Sequence, residues 1–147
     1  MDKSVAVGLT AVVGGMIALQ APINSGLGKR IGTLPAASVS FLIGTVLLVL
    51  LALVFGSGYG NLGEARHLSW YYLMGGVLGA AYVTSVLVTV RTLGAGGVTA
   101  ATIAGQLTAA VVVDQLGILG VTKHAVTVPR LAGIVLLAAG TFLVVRY

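Results

Sequence analysis

Residues 35–55, "PAASVSFLIGTVLLVLLALVF", decide the fold class. The stretch contains no charged residue, and its length matches the roughly 20 apolar residues that a helix needs to cross a hydrocarbon core about 30 Å thick. Pro35 stands where the first turn of a helix tolerates a proline. The stretch therefore predicts a helix that spans a membrane.

The composition of the whole chain agrees with this interpretation. Of its 147 residues, 58% are hydrophobic and 7% are charged, whereas a soluble domain has about 25% charged residues. The net charge of +5 is spread one or two residues at a time through short connections, whereas a nucleic-acid binder gathers Lys and Arg into one patch. We expect the lipid bilayer as a partner and no nucleic acid.

Apolar runs of similar length recur along the chain, separated by glycines and charged residues. The sequence predicts five spanning helices in a single transmembrane domain over residues 1–147. Their predicted bounds are 4–23, 35–55, 70–90, 98–119 and 131–145. The predicted fold class is all-α, an integral membrane bundle of five helices, and the first helix is expected to be able to continue through "GLGKR".

Small residues at four-residue spacing predict faces on which these helices pack closely, because small side chains let backbones approach one another in lipid. Gly75 and Gly79 form one such pair, and Ala101 and Gly105 form another. The pattern predicts close helix contacts without identifying the partner.

Five crossings place the two ends of the chain on opposite sides of the membrane, and the positive charges divide equally between those sides. One side carries Lys3, Arg66, Lys123 and Arg130, and the other carries Lys29, Arg30, Arg91 and Arg146. Because Lys and Arg in short loops set orientation, equal counts favour insertion both ways round. We expect dual topology and an inverted, antiparallel two-fold homodimer, as in transporters built from inverted halves. The alternative is an accidental tie and one fixed topology.

Asp114 is the one acidic residue inside a predicted span. A charge at the bilayer centre costs at least ~2.5–3.5 kcal/mol, so such a residue is a functional candidate. The centre of the fourth span falls near Thr108, which places Asp114 about 9 Å from the midplane. Two interpretations stay open: Asp114 binds or couples to a substrate, or it caps or cross-links helices near one membrane face.

Polar side chains in three spans are candidates for the lining of a substrate path. Gln106 lies near the midplane of the fourth span, and Gln20 and Asn24 are four residues apart, which places them on one helix face. Tyr82 stands in the middle of the third span, too deep for an interfacial residue. Hydrogen bonds between helices would equally explain the three amides, and a bond to the helix backbone would equally explain Tyr82.

Arg91 ends the third span on the membrane side opposite Asp114 within one protomer. In an antiparallel partner Arg91 would lie on the same side as Asp114. We therefore expect that an ion pair between protomers can form.

Motifs of known enzymes are absent from the sequence. There is no nucleophile elbow, no Walker A sequence and no zinc-protease motif, and no second carboxylate accompanies Asp114 in the spans. The chain contains no Cys, and His67 and His124 lack a companion at metal-ligand spacing. We expect neither catalysis, nor a cofactor, nor a metal.

Several segments carry a resemblance to a known family, most specifically "IAGQLTAAVVVDQLG" at residues 103–117. The others are "GGMIALQAPINSGLGKRIG", "AASVSFLIGTVLL", "GGVLGAAYV" and "RLAGIVLLAAGTFLVV". Together they resemble the YdcZ family of bacterial inner-membrane proteins, in the drug/metabolite transporter superfamily. Gln115 departs from the pattern, since relatives often have His there. The resemblance implies five helices per transporter half and a multi-pass protein of the inner membrane, but it implies no substrate.

The sequence favours one function and leaves two alternatives. The favoured interpretation is a transporter half that works as an antiparallel homodimer and moves a small polar or cationic molecule by alternating access, with proton coupling through Asp114. One alternative is a non-transporting accessory or lipid-contacting membrane protein. The other is one half of a transporter completed by a paralogous chain.

Overall fold

Helices form nearly all of the structure. The computed structural model describes residues 2–56 and 58–147, and within them it contains no strand. The long helices are α1 (Lys3–Ile31), α2 (Thr33–Phe55), α3 (Met74–Leu116) and α4 (Val128–Arg146). Two short 3-10 helices, Leu62–His67 and Trp70–Leu73, lie between α2 and α3. The predicted all-α class is confirmed.

All four long helices are sufficiently long and apolar to cross a membrane. Their most apolar windows have mean hydropathies of 1.8, 2.7, 1.8 and 2.1 in chain order, the third measured with the 3-10 turn that precedes α3. Backbone N–H and C=O groups find no partner in hydrocarbon, so a spanning segment must satisfy them within itself. An α-helix does so, which explains why the apolar runs fold this way.

The longest helix, α3, is interrupted once. Its 43 residues would extend about 65 Å as a straight helix, more than twice the thickness of a hydrocarbon core. Gly94, with φ 69° and ψ 169°, leaves the helical conformation inside it. We call residues 74–93 the first arm of α3 and residues 95–116 the second arm. The interruption lies in "RTLGAGG", where the sequence places its break between spans.

Glycines also set the ends of the helices. Gly32, with φ 94°, is the single residue between α1 and α2, and α1 runs to Ile31 through "GLGKR". Gly117, with φ 62°, follows the last residue of α3, so this helix ends three residues before the predicted bound of 119. The third predicted span begins with the 3-10 turn Trp70–Leu73 and becomes α-helical at Met74.

The chain divides into two compact units, of which one comprises residues 19–91. Its core is a cluster of four buried residues, with Leu27 and Tyr82 packed against it; the four are Ala36, Ala37, Val83 and Leu87. Small residues permit this packing. A Cβ added to Gly28 would lie 3.7 Å from the Cβ of Ala36 and 3.5 Å from a methyl group of Leu87.

The second unit contains residues 92–147 together with the chain up to Ala18. In this unit the second arm of α3 packs against α4. The Thr141 hydroxyl donates a 3.1 Å hydrogen bond to the carbonyl of Ala100, and a Cβ added to Gly97 would lie 3.6 Å from Val145. The second arm of α3 and α4 are therefore in direct contact at Gly97.

Substitution of Gly94 tests the interruption of α3. Gly94→Ala should lower the free energy of unfolding by about 1–3 kcal/mol, because positive φ combined with ψ near 180° is a region open essentially to glycine alone. The measurement is unfolding of the detergent-solubilised chain, followed by circular dichroism.

Gly96→Ala is the matched control two residues later. Its added Cβ would meet only Val144, at an ordinary 3.9 Å, and alanine should stabilise the helix by about 0.5–1 kcal/mol relative to glycine. Equal effects of the two substitutions would contradict a required glycine at position 94.

Candidate functional site

An ion pair joins the last turns of α3 to the first turn of α4. The Nη1 atom of Arg130 lies 3.3 Å from Oδ2 of Asp114, and the two side chains are 38% and 28% exposed, respectively. Each charge alone is at the unfavourable end of its helix, since a carboxylate is disfavoured near a helix C-terminus and a cation near an N-terminus. The pair offsets both effects and fastens α4 to the second arm of α3.

The segment after α3 folds back over the end of that helix. The N–H of His124 donates to the carbonyl of Asp114 at 2.9 Å, and the N–H of Val126 donates to Oε1 of Gln115 at 2.7 Å. Gly117 lies under this segment, since a Cβ there would approach the Cβ of Lys123 to 3.0 Å. Asp114 and Gln115 thus hold both α4 and the connection that leads to it.

The predicted spans leave Arg130 in the connection before the fifth helix and do not pair it with Asp114. A signal was present in the sequence. Pro129 favours the first turn of a helix, which brings the start of α4 close to Arg130 and makes it a helical residue. Asp114 and Arg130 then stand at the facing ends of two consecutive helices joined by a short connection.

Gln106 lies in the middle of the second arm and is exposed. It precedes Asp114 by eight positions, a separation of about 12 Å along a helix. Its neighbour Gly105 is equally open, because an added Cβ there would meet nothing within 4 Å. The Gln106 amide therefore points away from the packing contacts of its own unit.

Gln20 and Asn24 have different surroundings although they share a helix face. Asn24 is 6% exposed, and its Nδ2 donates a 3.1 Å hydrogen bond to the hydroxyl of Ser40 on α2. Gln20, one turn earlier, is exposed. The amide of Asn24 therefore links α1 to α2, and Ser40 is its partner, a residue that the sequence analysis did not select.

Tyr82 and Arg91 both lie on the first arm of α3. Tyr82 is half-buried against the cluster that contains Leu87. Arg91 is exposed, and its Nη2 atom lies 3.2 Å from the point where Gly28 would carry a Cβ. Arg91 therefore covers the end of α1 in its own chain, and its pairing with Asp114 of a second protomer stays a prediction.

The predicted site residues fall into both compact units. Gln20, Asn24, Tyr82 and Arg91 belong to the unit of residues 19–91, whereas Gln106 and Asp114 belong to the unit that contains α4. Within residues 2–56 and 58–147, no three side chains of the metal-ligating types converge.

Comparison with known families identifies the chain. A family model described as "Putative inner membrane exporter, YdcZ" matches residues 5–143. The chain belongs to the YdcZ family. Neither a curated protein nor a solved structure matches it significantly. As a YdcZ protein with several apolar helices, it is a multi-pass protein of the inner membrane, and the activity named for its family is transport rather than catalysis.

A double-mutant cycle measures the ion pair. Asp114→Asn, Arg130→Gln and the double variant should reveal a coupling of about 1 kcal/mol in the free energy of unfolding, because a pair about one-third exposed is partly screened by water. The measurement is again unfolding in detergent followed by circular dichroism.

Arg146→Gln serves as the matched control for Arg130→Gln, since it removes the same kind of charge from the other end of α4. Its guanidinium lies over the ring of Phe142, 5.5 Å from the centroid. Arg146 lies sixteen residues after Arg130, about 24 Å along the helix. The changes that Arg146→Gln and Asp114→Asn cause in the free energy of unfolding should therefore add. A coupling with Arg146 as large as that with Arg130 would refute a specific pair.

Proposed function

We propose that this YdcZ protein is one half of a small-molecule exporter that works as an antiparallel homodimer by alternating access. The observation that carries the proposal is the exposed Gln106 amide halfway along the second arm of α3, in a chain whose family is described as a putative inner membrane exporter. The substrate is a small polar or cationic molecule, and its movement is coupled to protons through Asp114.

The position of Gln106 supports an arrangement larger than one chain. An amide in hydrocarbon without a hydrogen-bond partner costs several kcal/mol. Lipid offers no such partner, whereas a second protomer or a water-filled path does. The open positions at Gly105, Gly133 and Gly140, where an added Cβ would meet nothing within 4 Å, leave room for close approach of another helix.

The interruption at Gly94 supports five crossings rather than four. The first arm of α3 would extend about 30 Å and the second about 33 Å, so each arm is long enough for a hydrocarbon core. An odd number of crossings puts the chain ends on opposite sides of the membrane. Two copies related by an axis in the membrane plane then form an inverted pair, as in transporters with inverted repeats.

The inverted arrangement gives the mid-depth residues a special role. An axis in the membrane plane at mid-depth relates a residue at that depth to its own counterpart. With the second arm of α3 beside that axis, Gln106 of one protomer faces Gln106 of its partner, and both amides border the substrate path.

Asp114 supplies the coupling in this proposal. Its carboxylate is 28% exposed and held by Arg130, so a proton or a cationic substrate competes with Arg130 for the same oxygens. Neutralising Asp114 releases the first turn of α4 from the second arm of α3. Binding and release at one carboxylate would thus alter the packing of two helices.

A second candidate function rests on the same ion pair. If Asp114 only fastens α4 to α3, the chain is a non-transporting accessory protein, or it needs a paralogous half that supplies the transport residues. The Asp114–Arg130 contact favours this candidate because it gives the half-buried acid a structural partner within its own unit. Exchanging the charges at positions 114 and 130 distinguishes the two candidate functions, because they predict different effects on flux.

Labelling with a membrane-impermeant maleimide tests the topology, and the absence of Cys from the chain makes every introduced thiol unique. Asn61→Cys and Tyr147→Cys, made singly, should each be labelled from one side in about half of the molecules if orientation is dual. Complete or absent labelling of each would contradict dual topology.

The double variant Asn61→Cys/Tyr147→Cys distinguishes five crossings from four whatever the orientation. Labelling from one side should give one label on every chain, read by intact mass, because five crossings put the two positions on opposite sides. Chains that carry two labels or none would show four crossings.

Proton-coupled transport is tested with reconstituted vesicles and a panel of small organic cations and polar metabolites. Asp114→Asn should abolish substrate-dependent proton flux. The reversed pair, Asp114→Arg with Arg130→Asp, should recover thermal stability lost in the single variants but not the flux, because the carboxylate then stands on α4. If the reversed pair recovered the flux together with the stability, the result would favour the structural role of Asp114. Absence of any substrate-dependent flux in the wild type would refute transport of the tested compounds.

A further inference from the structure

We propose that the junction of α1, α2 and the first arm of α3 binds the phosphate group of an anionic membrane phospholipid. The binding residues are Lys29, Arg30 and Arg91, which we call the basic junction. The inference does not depend on transport or on the orientation of the chain, because each leaflet of the membrane presents phosphate groups.

Helix position and one side-chain contact place the three cations at one end of the unit. Lys29 and Arg30 belong to the last turn of α1, and the Arg91 guanidinium lies against Gly28, one residue before them, with its Nη2 atom 3.2 Å from the site of a Cβ. All three cations are exposed, whereas Gly28 beneath Arg91 is buried. A Cβ at Gly28 would make the guanidinium move by a few tenths of an ångström, so the glycine allows the close approach that the structure shows.

The basic junction has no acidic residue close to it in its own unit. The chain contains three acidic residues, Asp2, Glu64 and Asp114, and only Glu64 belongs to the unit of residues 19–91. Glu64 follows the C-terminal end of α2, whereas Lys29 and Arg30 precede its N-terminal end, and the 23 residues of α2 separate those ends by about 35 Å. Among the described residues, the one ion pair is that of Asp114 with Arg130. The positive charge of the junction is therefore uncompensated within its unit.

The depth of the junction in the membrane matches that of a phospholipid headgroup. The apolar helix α2 is slightly longer than a hydrocarbon core, so its first residues lie at the edge of the core. Ile31 and Leu34, beside the junction, are 44% and 67% exposed. Cations at headgroup level beside exposed apolar side chains match a molecule with an anionic phosphate and acyl chains, whereas free phosphate would leave the apolar side chains without a partner.

The test measures lipid binding to the full-length chain in a neutral detergent, by native mass spectrometry. The wild type, titrated separately with phosphatidylglycerol and phosphatidylcholine, should bind phosphatidylglycerol more tightly. The variant Lys29→Gln/Arg30→Gln/Arg91→Gln should lose this preference. Its matched control is Lys3→Gln/Arg66→Gln/Lys123→Gln, which removes the same charge elsewhere and should keep the preference. Equal loss in the two triple variants, or no loss in the first, would overturn the proposal.

Single variants keep the proposal testable if the triple variant does not fold, as judged by its circular dichroism. Arg91→Gln should weaken phosphatidylglycerol binding about fivefold, the effect of one cation near an anionic surface, and Arg91→Lys should retain most of the affinity. Equal affinities of the wild type and Arg91→Gln would overturn the proposal. Displacement of the lipid by inorganic phosphate beyond that caused by chloride at equal ionic strength would also overturn it, because the site would then be one for free anions.

Discussion

The inability of hydrocarbon to form hydrogen bonds governs this structure. It makes helices of the apolar segments, because only a helix satisfies the backbone of a single span, and it applies equally to polar side chains within those helices. Asn24 meets the requirement through Ser40, and Asp114 meets it through Arg130. The hydroxyls of Thr89 and Thr108 do so by donating to a carbonyl four residues earlier. Gln20 and Gln106 remain exposed on the chain, and this supports the proposal that more than one copy forms the working protein.

Glycine residues allow the helices of this protein to pack closely in lipid. Where lipid replaces water, helices gain little from burying apolar surface, and they associate through close contact. Gly28 lies against the Arg91 guanidinium and against side chains of α2 and α3, and Gly97 lies against Val145. Gly94 has a different role, since its φ of 69° ends one helical arm and begins the next. The glycines that would be costly in a soluble helix therefore shape both the contacts and the break.

The sequence predicts the helices well because the length and polarity of a spanning segment are fixed by the bilayer. The sequence predicts poorly which side chains pair with one another. A lone Asp in an apolar run indicates a need for a compensating cation without showing which cation provides it. Arg130 was assigned to a connection, and its place in α4 depends on where that helix begins. Asn24 and Gln20 illustrate the same limit. Helical spacing puts them on one face, yet only packing against α2 buries the first and leaves the second exposed.

The two membrane sides that five crossings define carry equal numbers of Lys and Arg but different numbers of acidic residues. The tie of four against four ignores the acids, and all three acids accompany the charges that five crossings assign to the N-terminal side. Arg130 is paired with Asp114, whereas the one carboxylate in the unit of the basic junction, Glu64, lies beyond the far end of α2. Acidic residues contribute little to orientation during insertion, so the equal counts still favour dual topology. They do affect what the inserted protein attracts, since a compensated cation interacts weakly with phosphate and an uncompensated one strongly. Orientation and lipid recognition can therefore depend on different subsets of the same charges.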